Sequence, residues 1–291
     1  MPIRTGLPRL GEGSSHLVEP SDRLVPQLLL SLLTTLLALQ PTLLPAGGHA
    51  AEPLRVRPAD FRVVGHRGDP GPGITENTIE ALRRADRAGA HGSEFDVRLT
   101  ADRRIVLMHD PSLRRTTTCT VRVDRARARW LRRHCRGRHR ERVPSLDDAL
   151  AWMHRNHQQA VIEIKDGRGW RADDLSTLAH RIRRHGMRRQ STVISFSLSA
   201  LRRLERQDPT LRTGWIGTRW SHALSARRAG LDVIHVPARV LTRSRVTRLH
   251  RDGLTVIGRV TNDPRQWRRL RRIGADGLVT DRPGDVRRHL R

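Results

Sequence analysis

Three carboxylates are spaced so that they can share one face of neighbouring strands. Side chains two residues apart on a strand point the same way, so Glu94 and Asp96 share a face of the strand-like run 92–97. Glu163, in the run 160–165, supplies a third carboxylate. Like charges repel unless a cation lies between them, and this set suits a hard ion, Mg²⁺ or Ca²⁺, better than zinc. The competing interpretation is a group of solvated or salt-bridged rim carboxylates.

The chain contains one lysine, and it lies two residues beyond the third carboxylate. All other basic residues are arginine, so Lys165 stands out in the segment Ile162-Glu163-Ile164-Lys165. An ammonium is a compact point charge and a guanidinium a planar fork, so a site that needs the first does not accept the second. We expect Lys165 to extend toward the same site as Glu163 and to bind phosphate. The alternative is an ordinary surface lysine.

Two histidines are candidates for proton transfer. His66 begins the tripeptide His66-Arg67-Gly68 directly after the run 61–65, and His109 ends the run 104–109. Imidazoles titrate near neutral pH, so such a pair can supply a general base and a general acid. Arg67 carries a fork of donors that can bind phosphate oxygens.

The elements that position these residues follow a regular alternation from residue 61 onward. Eight candidate strands are separated mostly by helix-length stretches, and the 291 residues suffice for one such domain. This pattern predicts a (β/α)8 TIM barrel. The candidate strands are 61–65, 92–97, 160–165, 191–196, 212–216, 232–236, 255–261 and 276–280.

A ninth run, 104–109, interrupts the alternation. Too few residues separate it from 92–97 for a parallel crossover, so the two predict an inserted antiparallel hairpin. A turn centred on Asp102-Arg103 would place His109 directly across from Asp96.

Two helix starts can also be predicted. Asn77 is the expected N-cap of a helix that begins at Thr78, with Glu80 as its reciprocal partner and Gly89 at its end. Ser145 and Asp148 repeat this arrangement further along the chain.

Short motifs in a fixed order give the chain a family resemblance. It resembles the glycerophosphodiester phosphodiesterase family from His66 to Pro283. The matching segments are His66-Arg67-Gly68, Glu76-Asn77-Thr78, Gly92 with Glu94-Phe95-Asp96-Val97, Thr100, His109-Asp110, Arg115-Thr116-Thr117, Pro144-Ser145-Leu146, Ile162-Glu163-Ile164-Lys165, Ser195-Phe196, Val260-Thr261-Asn262 and Thr280-Asp281-Arg282-Pro283.

The resemblance implies an activity and a set of roles. It implies hydrolysis of small glycerophosphodiesters to sn-glycerol 3-phosphate and an alcohol by a catalytic barrel over 58–291. A divalent ion, Ca²⁺ or Mg²⁺, would be held by Glu94, Asp96 and Glu163. His66 and His109 would share the acid and base roles, and we favour His66 as base. Glu76 and Asn77 are expected to support the site.

Two positions depart from the family pattern. Thr75 stands where the family often has proline before Glu76, which concerns only the loop. Arg259 stands where the family often has tryptophan ahead of Val260. A cation in place of a flat apolar wall predicts a more anionic substrate.

The N-terminal 50 residues predict export. A leucine-rich run over 24–44 is followed by small residues up to Ala51, which is typical of a signal peptide, with a retained membrane-targeting segment as the alternative. We therefore expect a secreted or extracytoplasmic enzyme that touches the membrane only through this segment if it is uncleaved. In that oxidising setting Cys119 and Cys135 can form a disulfide.

The charge of the chain leaves two other functions open. A formal net charge of +27 would suit a polyanion partner, but the arginines are spread along the chain and tyrosine is absent, which indicates compositional bias. We expect no specific nucleic-acid partner, while glycerol-phosphate polymers remain candidate substrates. The alternatives are an inactive barrel that binds anionic polymers and a barrel phospholipase that acts on intact lipid.

Overall fold

A computed structural model describes residues 61–290, in which nine strands and nine α-helices alternate as a barrel requires. The predicted signal peptide, with its membrane-targeting alternative, lies outside these residues. The strands are β1 (Arg62–Gly65), β2 (Gly92–Leu99), β3 (Ile105–Leu107), β4 (Gln159–Ile164), β5 (Ser191–Ser195), β6 (Arg212–Ile216), β7 (Val233–Pro237), β8 (Thr255–Arg259) and β9 (Gly277–Thr280). The helices are α1 (Ile79–Arg87), α2 (Ala128–His134), α3 (Leu146–Arg155), α4 (Ala172–Arg184), α5 (Leu198–Gln207), α6 (Trp220–Arg228), α7 (Arg243–Arg251), α8 (Pro264–Ile273) and α9 (Pro283–His289).

Eight of the strands close into a parallel barrel. The order runs β1-β9-β8-β7-β6-β5-β4-β2, and β1 also pairs with β2, which completes the ring. The predicted TIM barrel is confirmed. All eight strands end at one face, called the mouth below, where the loops that follow them meet. His66, Arg67 and Lys165 directly follow barrel strands, whereas Glu94, Asp96 and Glu163 lie within them. Glu76 and Asn77 lie in the loop between β1 and α1.

The barrel core separates the two faces of each strand. The interior holds branched side chains from successive strands: Val64, Val161, Ile194, Ile216, Val233, Ile257 and Val279. Phe95 and Val97 point outward and pack under the helices in a second cluster. Glu94 and Asp96, which alternate with them, therefore face inward, as the alternation predicts.

The inserted hairpin forms, but its predicted register is wrong by one residue. Val97 pairs with Leu107 and Leu99 with Ile105, so the position across from Asp96 is Met108, whose N–H donates to the Asp96 carbonyl (3.0 Å). The turn has three central residues, 101–103, where two were expected, and Arg103 takes a left-handed conformation (φ 57°) that closes this longer turn. His109 therefore lies in the bend after β3.

One of the two predicted helix caps is wrong. Thr78 caps α1, because its hydroxyl accepts from the N–H of Ala81, while Asn77 has a left-handed backbone (φ 57°) and directs its amide elsewhere. Ser145 and Asp148 form the predicted reciprocal capping box at the start of α3.

The segment between β3 and α3 has a small core and a covalent crosslink. Leu113, Val123 and Leu131 pack together there, and Cys119 and Cys135 are joined by a disulfide with Cα atoms 5.5 Å apart. Within residues 61–290 no helix has the length and apolar character needed to cross a membrane.

Candidate active site

The three predicted carboxylates converge at the mouth. Asp96 on β2 is directly beside Glu163 on β4 in the parallel ladder, and Glu94 is one alternation deeper on β2. Each offers an oxygen within 4.8 Å of the oxygens of the other two, and all three side chains are buried. The sequence therefore located an acidic trio correctly from alternation alone.

Burial and mutual repulsion dominate the ionisation of this trio. Burial raises the pKa of Glu94 well above its usual range, and the charges of Asp96 and Glu163 raise it further. Burial likewise raises the pKa of Glu163, although Lys165 opposes that shift. Burial opposes ionisation of Asp96 too, but Lys165 and Arg67 outweigh it and lower the pKa of this carboxyl. Two of the three acids, Glu94 and Glu163, thus resist deprotonation.

Lys165 extends into the trio as expected for a point charge. Its Nζ lies 2.9 Å from Asp96 Oδ1 and 2.5 Å from Glu163 Oε1. Although burial acts in the opposite direction, these two carboxylates raise the pKa of Lys165, so the ammonium stays charged. An ammonium concentrates its charge on one nitrogen that donates in three directions, whereas a guanidinium spreads its charge over a planar fork.

The acidic trio fits a divalent cation. Within residues 61–290, Glu94 Oε1 is buried and accepts no hydrogen bond. A buried carboxylate oxygen without a partner is costly unless a cation completes its surroundings. The donor set consists only of oxygens, which hard ions prefer. Glu94, Asp96 and Glu163 are therefore the residues that could hold the ion.

His66 is oriented by a carboxylate from the far end of the chain. It follows β1, and its Nδ1 lies 2.6 Å from Oδ1 of Asp281, which follows β9. β1 and β9 are neighbours in the ring, so these distant residues meet at the mouth. Asn262 donates to the other oxygen of Asp281 at 2.6 Å. With Nδ1 engaged, Nε2 of His66 remains as the atom that can exchange a proton with a ligand.

His109 has a matching partner next to it in the chain. Its Nδ1 lies 2.6 Å from Asp110 Oδ1, and Arg115 holds the other oxygen of Asp110 at 2.6 Å. Burial lowers the pKa of His109, while the Asp110 carboxylate and the charge of Asp96 partly oppose that shift. His109 therefore interacts electrostatically with Asp96 from the bend after β3, although the hairpin register differs by one residue from the predicted one.

Arg67 is held by two acidic groups and by an unusual backbone. Its N–H donates to Glu94 Oε2 (2.9 Å), and its guanidinium pairs with Glu76 (2.8 Å) and lies 3.5 Å from Asp96. Arg67 has φ of 55°, and Gly68 after it has φ of 86° with the backbone of Ala81 only 2.5 Å from where a Cβ would be. The turn therefore needs glycine at position 68.

The two residues predicted to support the site do so through hydrogen bonds. Asn77 donates to Asp96 Oδ2 (2.8 Å), and its own oxygen accepts from the Asp96 N–H (2.9 Å). Glu76 bridges the guanidinium groups of Arg67 and Arg115. Glu76 and Asn77 thus fix the orientation of a trio member and of the arginine beside it.

The partners of the two histidines were not predicted from the sequence. Asp281, Asp110 and Arg115 belong to motifs of the family resemblance, but no role had been inferred for them. Asp281 follows a predicted barrel strand, and that position alone was a signal that it would lie at the mouth. Its pairing with His66, across 215 positions, requires barrel closure and has no local signal.

The family model described as the glycerophosphoryl diester phosphodiesterase family matches residues 66–285. The chain belongs to this family. A glycerophosphodiester phosphodiesterase of Caldanaerobacter subterraneus is 26% identical over 232 residues, which cover 76% of this chain and 94% of that relative. Family membership makes the protein a phosphoric diester hydrolase that acts on glycerophosphodiesters.

Solved structures of the family share the fold. A glycerophosphodiester phosphodiesterase from Agrobacterium tumefaciens superposes with a TM-score of 0.68 at 25% identity, covering 78% of this chain and 99% of that one. A phosphodiesterase from Oleispira antarctica, in complex with its product sn-glycerol-3-phosphate, gives 0.72 at 20% identity, covering 79% and 96%. The second likeness supports the barrel architecture only.

Proposed function

We propose that the enzyme hydrolyses small glycerophosphodiesters to sn-glycerol 3-phosphate and an alcohol, with His66 and His109 as the proton-transfer groups. The observation that carries this proposal is the pair of imidazoles at one mouth, each with Nδ1 held 2.6 Å from an aspartate. In both rings Nε2 is left to exchange a proton with the substrate. Such an arrangement is what a base and an acid on opposite sides of one phosphate need.

The positive groups at the mouth would offset the charge of the phosphodiester. We propose that one divalent cation, Ca²⁺ or Mg²⁺, is held by Glu94, Asp96 and Glu163, and such an ion supplies charge stabilisation to the phosphate when bound. Lys165 contributes a fixed ammonium beside the same carboxylates. Arg67 adds a guanidinium whose orientation Glu76 holds. These charges matter most at the transition state, where negative charge builds up on the phosphate oxygens.

The order of proton transfer follows from the roles of the two histidines. We propose that His66 removes a proton from the nucleophile and His109 protonates the leaving oxygen. By resemblance to the family, the nucleophile is the 2-hydroxyl of the substrate's own glycerol, which closes a cyclic phosphate that water then opens. Asp281 and Asp110 keep each imidazole in the tautomer that leaves Nε2 facing the substrate.

An assay with matched histidine variants tests the mechanism. Release of glycerol 3-phosphate from glycerophosphocholine is followed after EDTA treatment and after re-addition of Mg²⁺ or Ca²⁺. We expect the wild type to need the ion, and His66→Ala and His109→Ala each to lose about 100-fold or more in kcat. His180→Ala, an exposed histidine on α4, is the control. Full activity in His66→Ala, or undiminished activity in EDTA, would refute the mechanism.

We further propose that the enzyme acts outside the cytoplasm. The disulfide between Cys119 and Cys135 supports this location, because such bonds persist in oxidising compartments. The signal-peptide pattern of the first 50 residues supports it independently. Glycerol-phosphate polymers of the cell envelope are then accessible substrates. Fractionation of the producing cell tests the location, and recovery of the uncleaved, reduced chain from the cytoplasm would contradict it.

A further inference from the structure

Two arginines at the mouth have no acidic partner. Arg259 is the last residue of β8, and Arg239 follows β7 two residues after Pro237, which pairs with Arg259 in the ladder. Both therefore stand where neighbouring strands end. Within residues 61–290, no carboxylate lies within ion-pair distance of either guanidinium. Most other buried or half-buried cations at this mouth are paired, as Arg67 and Lys165 are.

Arg259 belongs to the wall of the active site. It is half-buried and lines a small cavity of about 40 Å³ together with His66, Glu94 and Glu163. Its guanidinium lies 4.9 Å above the ring of Phe196, which follows β5 and is 48% exposed. A cation thus rests on an open aromatic face at the edge of the reacting centre.

A groove leads from the reacting centre past the same aromatic ring. Glu163 and Lys165 line its inner end, and Phe196, Ser197 and Arg168 line its outer part, with a volume of about 570 Å³. It therefore adjoins the acidic trio and has room for a small alcohol. Phe196 is the wall shared by this groove and by Arg259.

Arg259 and Arg239 add positive charge beyond that of the groups proposed to bind the reacting phosphate. Lys165 and Arg67, which both lie beside Asp96, and the proposed ion already offset the charge of the reacting phosphate. Burial lowers the pKa of Arg259, and the like charge of Arg239 lowers it further, although Glu163 opposes both. Among residues 61–290 neither guanidinium has an ion-pair partner, so Glu163 and Glu94 offset the repulsion between the two only from a distance, and an anion between them would remove it. Their forked donors match a phosphate group in particular.

We propose that Arg259 and Arg239 form a subsite for a second anionic group on the leaving alcohol, so that the enzyme prefers glycerophosphodiesters whose alcohol itself carries a phosphate. This inference rests on the proposed function. It assigns the groove along Phe196 to the alcohol and the two arginines to its distal charge.

A pair of substrates that differ by one phosphate isolates this subsite. Glycerophosphoglycerol and the same diester phosphorylated on its leaving glycerol are cleaved at the same scissile bond. Because the first substrate releases one glycerol phosphate per turnover and the second releases two, turnover of both is measured as loss of the diester. We expect the wild type to favour the phosphorylated substrate in kcat/KM by about 10- to 100-fold, the range of one or two charge-assisted hydrogen bonds. Arg239→Gln should remove most of this preference, mainly through KM, and leave the unphosphorylated substrate within about twofold. Arg259→Gln should also remove most of the preference, because it should lower kcat/KM for the phosphorylated substrate more than for the unphosphorylated one.

A control variant and three outcomes distinguish a distal subsite from binding of the reacting phosphate and from failure of the proposed function. Arg189→Gln removes an exposed arginine from the loop before β5, at the opposite end of the barrel, and should preserve the preference. An equal loss on both substrates in Arg259→Gln would mean that this arginine binds the reacting phosphate, and would overturn the subsite. A wild type without preference would overturn it as well. A wild type that hydrolyses neither substrate would refute the proposed function itself.

Discussion

Of the three carboxylates, Glu94 is the one whose substitution tests the proposed ion site most selectively. It is fully buried, one of its oxygens accepts no hydrogen bond within residues 61–290, and Asp96 and Glu163 lie beside it. Glu94→Gln keeps the shape of the side chain and removes one negative charge. The new amide can donate to the neighbouring carboxylates, so the substitution relieves repulsion without leaving a cavity.

The expected magnitudes follow from the separation of the three acids. At 4.8 Å and an effective dielectric constant of about 20, two ionised carboxylates repel by roughly 3 kcal/mol. Protonation of Glu94 avoids part of that cost, so we expect Glu94→Gln to raise the free energy of unfolding in EDTA by about 1–3 kcal/mol at pH 7.5. An ion at 100 times its Kd stabilises the wild type by about 2.7 kcal/mol, a rise in Tm of roughly 5–10 °C for a domain of this size.

The sign of the pH dependence provides an internal check. The folded pKa of Glu94 is raised, so the ion-free folded wild type keeps a proton that the unfolded chain releases above its ordinary value of 4.5. The wild type therefore loses stability relative to Glu94→Gln as pH rises from about that value toward the folded pKa. Below pH 4.5 Glu94 is protonated in both the folded and the unfolded wild type, so the free energies of unfolding of wild type and Glu94→Gln should differ least there.

Thermal unfolding of purified protein measures all three effects. Wild type, Glu94→Gln and the exposed-acid control Asp173→Asn are melted in EDTA and then with increasing Mg²⁺ or Ca²⁺. We expect a concentration-dependent rise in Tm for the wild type and Asp173→Asn, and little rise for Glu94→Gln. An equal ion-induced rise in wild type and Glu94→Gln would show that the ion binds elsewhere and would refute the reasoning.

Three further changes have defined outcomes. Asp281→Asn should lower kcat by about 100-fold with little change in KM, since it frees His66 to rotate; an unchanged kcat would exclude the orienting role. Asp110, whose pKa is lowered to about 2, contributes stability that is present above its ordinary value of 3.8 and lost as pH falls through about 2. Chemical denaturation should therefore find Asp110→Asn about 1 kcal/mol less stable than wild type at pH 7, with the difference shrinking as pH falls from 3.8 through 2. The double variant Cys119→Ser/Cys135→Ser should lower the free energy of unfolding by about 3 kcal/mol, and reductant should lower that of the wild type similarly while leaving the variant unchanged.

The errors made from the sequence fall where local rules compete. The hairpin register depended on whether the turn used two or three central residues, and the turn with three, in which Arg103 is left-handed, is the one that forms. Asn77 and Thr78 are both good N-cap residues, so propensity does not distinguish them. Asn77 does not cap the helix because its amide forms hydrogen bonds with both the side chain and the backbone of Asp96, which lies on a different element.

The sequence by itself determined the barrel, the acidic trio and the place of Lys165. Each of these follows from periodicity along single strands, since a period of two fixes which side chains face inward before any strand has found its neighbour. Only the tertiary structure decided which groups meet across strands. The pairing of His66 with Asp281 and the place of the Phe196 ring beneath Arg259 depend on how β1 closes on β9 and on how far successive strands are staggered. Those offsets are set by the packing of the whole ring, which no local stretch of sequence specifies.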